Sequence, residues 1–260
     1  MPSHPLHLLT LFGRTTLLLA IFLNGLCYSS ASYADPTELE VYTDELTDKG
    51  EFNMDMAGNT SQSARKSEQH GRAVSQAVGE FSYGVTEQLS TSVKLPVSFY
   101  GGTWYGNGAL AEVKYIASHE TNGFYWGAEV EAGYLSPLLE ARQWELELTP
   151  ILGYRNNDWH VVINPGVSLT SRGDEHGEFN FEPSAKFAYR LDKNDALGME
   201  YFVQAGAVDS LLPRNRRNEI AFLAWDTKIA KSTINLGLGH GTTDASPRWV
   251  GKLIVDLEFD

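Results

Sequence analysis

The sequence predicts an all-β fold: an antiparallel up-and-down transmembrane β-barrel of about twelve strands, with ten to fourteen as the range. Three observations predict it. Segment after segment alternates apolar and polar side chains at period two, the pattern of strands with one oily and one wet face. The segments recur at even spacing with turn residues between them. The connections alternate short and long, the asymmetry of bacterial outer-membrane barrels. The stretch "FNFEPSAKFAYR" (179–190) shows the first of these. Phe179, Phe181, Ala185, Phe187 and Tyr189 share one parity, and Glu182, Lys186 and Arg190 share the other.

The N-terminus reads as a secretory signal peptide over residues 1–34. Arg14 precedes an apolar run from Thr16 to Leu26, and Ser32-Tyr33-Ala34 fits small-x-small cleavage after Ala34. That run is too short to span a membrane comfortably, and no other long apolar run follows. Cys27 is the single cysteine, so the expected mature chain has no disulfide and no thiolate chemistry. Leu26 before it is too large for a lipid-attachment signal.

Residues 35–50 are read as an N-terminal periplasmic segment, and 51–260 as the barrel. The segment 37–45 ("TELEVYTDE") has strand period, but it is the most acidic and least apolar of thirteen such segments. We leave it outside the barrel, or split across a bulge, because a barrel with both termini in the periplasm needs an even strand count. The twelve wall strands are expected near 51–59, 73–85, 89–100, 108–118, 123–135, 143–154, 158–170, 178–190, 196–208, 218–229, 233–241 and 249–259. In 123–135, Phe124, Trp126, Val130 and Tyr134 oppose Glu129 and Glu131. In 143–154, Trp144, Leu146, Leu148 and Leu152 oppose Glu145, Glu147 and Thr149. In 158–170, Trp159, Val161, Ile163 and Val167 oppose His160, Asn164 and Ser168. In 196–208, Leu197, Met199 and Tyr201 oppose Glu200 and Gln204. A one-residue slip would reverse every face, so the pattern fixes each strand's orientation.

Which face meets lipid follows from three further features. Aromatics cluster on the apolar face at both strand ends: Tyr83, Tyr115, Phe124, Trp126, Tyr154, Trp159 and Tyr189 near short turns, and Phe99, Tyr134, Trp144, Phe179 and Trp249 near long loops. Two interfacial girdles have this form. The last strand, "WVGKLIVDLEFD", alternates and reaches an aromatic at Phe259, as outer-membrane barrels typically do, although Asp260 follows it. The polar face carries acids and bases, among them Glu112, Lys94, Lys114, Asp226 and Lys252, able to pair across strands in a wet lumen. The expected lumen lining is Glu129, Glu131, Glu145, Glu147, His160, Glu182, Lys186, Arg190 and Glu200.

The net charge of −13 argues against non-specific nucleic-acid binding. No H-x-S, G-x-S-x-G or H-E-x-x-H signature appears, so we expect no enzyme, no cofactor and no metal. The four glutamates 129, 131, 145 and 147 allow a cation-attracting constriction or a Ca²⁺ site beside the blander reading of a solvated wall. His160 reads as a lone hydrogen-bonded lining residue, and His240, in parity with Leu236 and Leu238, as interfacial. Two basic loops stand out, "ARKSEQHGR" (64–72) and "PRNRRNE" (213–219). Their Arg65, Lys66, Arg72, Arg214, Arg216 and Arg217 are candidate contacts for lipopolysaccharide phosphates.

Two stretches resemble a poorly characterised proteobacterial outer-membrane β-barrel family, transporter-like and related to the barrels of phenol meta-cleavage pathways. They are "EFSYGVTEQLSTSVKLP" (80–96) and residues 201–259, from "YFVQAGAVDS" to "LIVDLEF". The resemblance implies a barrel that passes small molecules; its motifs are turns and strands and name no solute. Expected partners are outer-membrane lipid, lipopolysaccharide and the barrel-assembly machinery. The expectation is therefore an integral outer-membrane barrel acting as a passive channel for a small solute. The alternatives are a closed structural or docking barrel, a barrel hydrolase, and a soluble periplasmic barrel with its oily face inward.

Overall fold

A computed structural model describes residues 39–61, 75–100, 102–117, 122–135, 144–172 and 175–258. The strands are β1 (Phe52–Ser61), β2 (Ser75–Thr86), β3 (Leu89–Tyr100), β4 (Thr103–Gly106), β5 (Gly108–Ile116), β6 (Gly123–Leu135), β7 (Trp144–Arg155), β8 (Trp159–Arg172), β9 (Glu175–Arg190), β10 (Asp195–Gln204), β11 (Asn218–Ile229), β12 (Ser232–Gly241) and β13 (Trp249–Glu258). All but β4 form the wall. Each pairs antiparallel with its neighbour, and β1 closes on β13 from Asn53↔Glu258 to Ser61↔Val250. The result is a closed twelve-stranded barrel, so the described wall strands have no open edge and only the short β4 lies outside the closure.

Parity sorts the side chains as the alternation requires. Phe124 (81% exposed), Met199, Leu223 and Leu238 point outward, whereas Lys94, Ile151, Ser168 and Glu200 are enclosed by the wall. A continuous outward apolar face of this size is not a surface for water. Aromatic pairs ring both ends: Phe52 with Tyr83, Phe124 with Tyr154 and Trp159 with Tyr189 at the short-turn end, Phe99 with Trp104 and Tyr134 with Trp144 at the other.

Several details differ from the periodicity. Residues 39–48 form no strand. The connection after β3 contains β4, which folds back on β3 from Tyr100↔Thr103 to Val97↔Gly106. β10 ends at Gln204, short of 208, because the chain turns at Gly206 (φ 86°) and residues 205–208 bond to Phe179 and Phe181 of β9. The sequence stretch Phe259–Asp260 lies outside the described residues, as do residues 1–34, where a signal peptide is expected.

Prolines interrupt one region of the wall. Pro165 faces Pro183 across β8 and β9. Between β7 and β8 the register runs to Leu148↔Val167 and resumes at Leu152↔Ile163; continued, it would set Pro150 opposite Pro165. Proline has no N–H for the ladder, so the pairing lapses there.

Candidate functional site

The barrel encloses its own N-terminal segment. At Gly50 (φ 84°) the backbone turns in a conformation that favours glycine, and Lys49 bridges Gly84 of β2. The approach is close: a Cβ on Gly84 would lie 2.1 Å from the Asp48 carbonyl oxygen. From this pinch, near the short-turn end, residues 47 to 39 climb through the interior. Val41 packs among Ile116, Tyr125, Ile151 and Val162. Leu39 packs against Ile220, Phe222 and Val250. These apolar side chains point into a polar lumen, and the segment supplies their partners.

Three charged nodes hold the segment. At the first, the ammonium of Lys94, fully buried, lies 2.6 Å from Glu112, 3.0 Å from Glu131 and 4.0 Å from Glu129, and donates to the Tyr42 hydroxyl at 3.2 Å. At the second, Lys252 pairs with Glu200 and donates to the Leu39 carbonyl at 2.8 Å. Lys186 joins this node, 3.5 Å from Glu200 and 2.8 Å from Asp226, and Asn235 donates to both acids. At the third, Arg155 pairs with the buried Asp44 at 2.7 Å. There Tyr125 and His160 share a 2.7 Å hydrogen bond, with His160 4.0 Å from Asp44. Between the nodes, Asn164 donates to the Tyr42 carbonyl at 3.0 Å and to the Pro150 carbonyl at 3.4 Å, beside the proline interruption. Thr47 and Ser82 hydroxyls meet at 2.7 Å.

The candidate lining residues fall as follows. Glu129 and Glu131 belong to the Lys94 node and Glu200 and Lys186 to the second. Glu147 sits in register with Glu131 and accepts from Thr149. Glu145 lies above it, opposite Gly133 and Thr170. Glu182 accepts from Ser168. Arg190 is at the short-turn rim and exposed. His160, read as solitary, instead belongs to a cluster with Tyr125, Asp44 and Arg155. His240 stacks edgewise on Trp249 on the outer wall. Arg214, Arg216 and Arg217 stand at the long-loop end, while Arg65, Lys66 and Arg72 lie outside the described residues. The inward position of Tyr125 was readable from its parity with Glu129. The roles of Asp44 and Tyr42 were not, because their segment forms no strand and its contacts reach distant parts of the chain.

Beside the segment runs a cavity of about 290 Å³ lined by nine carboxylates and four lysines, including Glu40, Glu45, Asp55, Glu80, Lys114 and Lys228. Its excess of negative charge attracts cations and opposes anions. Glu45 lines this cavity with its side chain open to the water in it; the enclosing wall still raises its carboxyl above the ordinary carboxylate range, against the pull of Lys186 and Lys114. Glu112, Glu129 and Glu131 lie close enough together to hold a metal ion. The Lys94 ammonium already occupies their midst as the counter-charge.

Neither a protein-family model nor a curated protein sequence matches the chain. Among solved structures, the COG4313 outer membrane channel from Pseudomonas putida F1 is similar over 85% of this chain and 100% of its own, with TM-score 0.63 and 14% identity. The NanC porin matches over 80% of this chain and 99% of its own (TM-score 0.55, 9% identity). The KdgM porin, in complex with oligogalacturonate, does so over the same shares (TM-score 0.50, 10% identity). At these identities the likeness is one of fold: the chain has the barrel fold of outer-membrane channels and porins.

Proposed function

We propose that this chain spans the outer membrane as a narrow, passive, cation-preferring channel for small solutes, with residues 39–47 as a stopper inside it. The observation that carries the reading is the acid-rich cavity running beside a segment held by discrete charged nodes. Passage needs no energy input on this reading: solutes diffuse along a polar lumen whose carboxylates discourage anions. Lining residues such as Glu129, Glu131, Glu147, Glu182 and Glu200 set the charge preference. The signal peptide delivers the chain to the periplasm, and the barrel-assembly machinery inserts it with its last strand as the cue. Kinship with the barrels of phenol meta-cleavage pathways belongs to this reading and rests on the two sequence stretches alone.

A second reading has its own support. Leu39 and Val41 are so well packed that the lumen can be permanently filled, and the barrel would then be structural or a docking partner. Recordings in planar bilayers decide. Under a KCl gradient the full chain should show small conductance steps with a cation-selective reversal potential, and deletion of residues 35–47 should enlarge the steps. Silence from both proteins would favour the closed barrel. Anion selectivity would overturn the charge argument.

A further inference from the structure

The long-loop end of β10 and β11 has a polar structure on its outer wall that the channel reading does not use. Glu219 shares the outward parity of Leu223 and Trp225, yet it is only 3% exposed. One of its carboxylate oxygens accepts from the Tyr201 hydroxyl at 2.6 Å, from Arg214 Nε at 3.3 Å and from the Thr242 hydroxyl at 3.2 Å. Its backbone N–H donates to Ser246 Oγ at 2.7 Å. Arg217 Nε donates to the Leu212 carbonyl at 2.7 Å, and Thr243 donates to the Arg217 carbonyl at 2.6 Å. These bonds tie the loops 205–217 and 242–246 together over the wall.

The arrangement leaves charge outside. The Arg214 side chain is 73% exposed although its Nε is fixed by Glu219. Arg216 is exposed beside it. Exposed apolar side chains accompany them: Leu211 and Val208 on the same loop, the latter with its N–H bonded to the Phe179 carbonyl, and Met199 on the outward parity of β10. His240 and Trp249 stack at the same end. Moving up the wall, the surface thus changes from apolar to amphipathic to cationic, in a chain of net charge −13. Phosphorylated amphiphiles change from acyl chain to phosphate over the same course. Arginine's planar fork is suited to phosphate oxygens, and its bonds to them are charge-assisted.

We propose that Arg214 and Arg216 bind the phosphates of an outer-leaflet glycolipid, lipopolysaccharide, whose acyl chains lie on Leu211, Val208 and Met199. This rests on the membrane-spanning reading above. The occupant is a lipid, rather than a free anion, because the cationic rim is continuous with the apolar wall.

The test uses the full chain folded in neutral detergent, with each variant checked by comparing unheated and boiled gel mobility. Native mass spectrometry would follow binding of bisphosphorylated lipid A, its dephosphorylated form and inorganic phosphate. The wild type should prefer the phosphorylated lipid, and R214A/R216A should lower its affinity about tenfold, the scale of losing charge-assisted bonds. R216A alone, which leaves the Glu219 network intact, should lower it about threefold. Equal binding by the double variant, or of the dephosphorylated lipid, would overturn the site. So would inorganic phosphate binding as well as the lipid. An unchanged affinity in R216A, with loss only when Arg214 is also replaced, would reduce the effect to loop ordering and equally overturn it. A wild type without a heat-dependent shift would instead fail the membrane reading, whatever the lipid result.

Discussion

Asp44→Ala is the sharpest perturbation of the stopper. Asp44 is 3% exposed and its carboxylate meets Arg155 at 2.7 Å. Removing one partner of a buried pair costs about 3–5 kcal/mol. Arg155 keeps 24% exposure, so water takes over part of its solvation, and the lower figure of about 3 kcal/mol applies. The burial of Leu39 and Val41, roughly 1.5–3 kcal/mol each, is untouched. The undocked population of residues 39–47 should therefore rise roughly a hundredfold, at 1.4 kcal/mol per factor of ten. Hydrogen exchange read by mass spectrometry would show it as faster exchange in the peptide covering 39–47 and unchanged exchange in the wall strands. Asp44→Asn, which keeps an acceptor for Arg155, should fall between. Exchange of 39–47 within about threefold of wild type would refute the anchoring role, since such a change is worth well under 1 kcal/mol. Faster exchange throughout the strands would show that Asp44 supports the barrel itself.

Glu45 gives the stopper a pH dependence. Its carboxyl is raised on docking, so its contribution favours docking at low pH and is lost as pH rises through the raised docked value. After correction for intrinsic rates, 39–47 should exchange faster at pH 8 than at pH 5, and Glu45→Gln should flatten that difference; an unchanged difference would discard the assignment. Leu223→Arg, mid-height on the outer face and 59% exposed, should destabilise the barrel in lipid by about 2–4 kcal/mol, read by denaturant unfolding in vesicles. A neutral effect would mean that face meets water. Ala230 turns the β11–β12 hairpin with φ 58°, so Ala230→Gly should stabilise by about 1 kcal/mol in the same assay. Any loss of stability would contradict the strain.

Strand period made much of this molecule legible. Alternation is a local property, and in a closed barrel it states directly which side chains face in. Glu131, Lys186 and Glu200 could be assigned inward before any contact was known, and their partners Lys94, Asp226 and Lys252 lie on nearby strands. The stopper was not legible in the same way. Its position depends on Asp44 meeting Arg155 and Tyr42 meeting Lys94, contacts between distant parts of the chain with no period to announce them. The acidity of 37–45 argued for leaving it outside the barrel; residues 39–47 form no strand, yet they lie inside the lumen, because acidity alone does not say where a segment goes. His160 looked solitary for the same reason, because two of its neighbours arrive from other strands and a third from the segment. β4 escaped notice because four residues are too few to display alternation.

The proline interruption has a mechanical meaning. Antiparallel strands resist shear through their ladder of hydrogen bonds, and along Pro150, Pro165 and Pro183 that ladder lacks donors on three neighbouring strands. Such a line is a crease in an otherwise stiff cylinder: bending there breaks the fewest bonds. Asn164 lies at the crease and donates to both the Pro150 and the Tyr42 carbonyls, so on the channel reading its amide would couple bending of the wall to withdrawal of the segment.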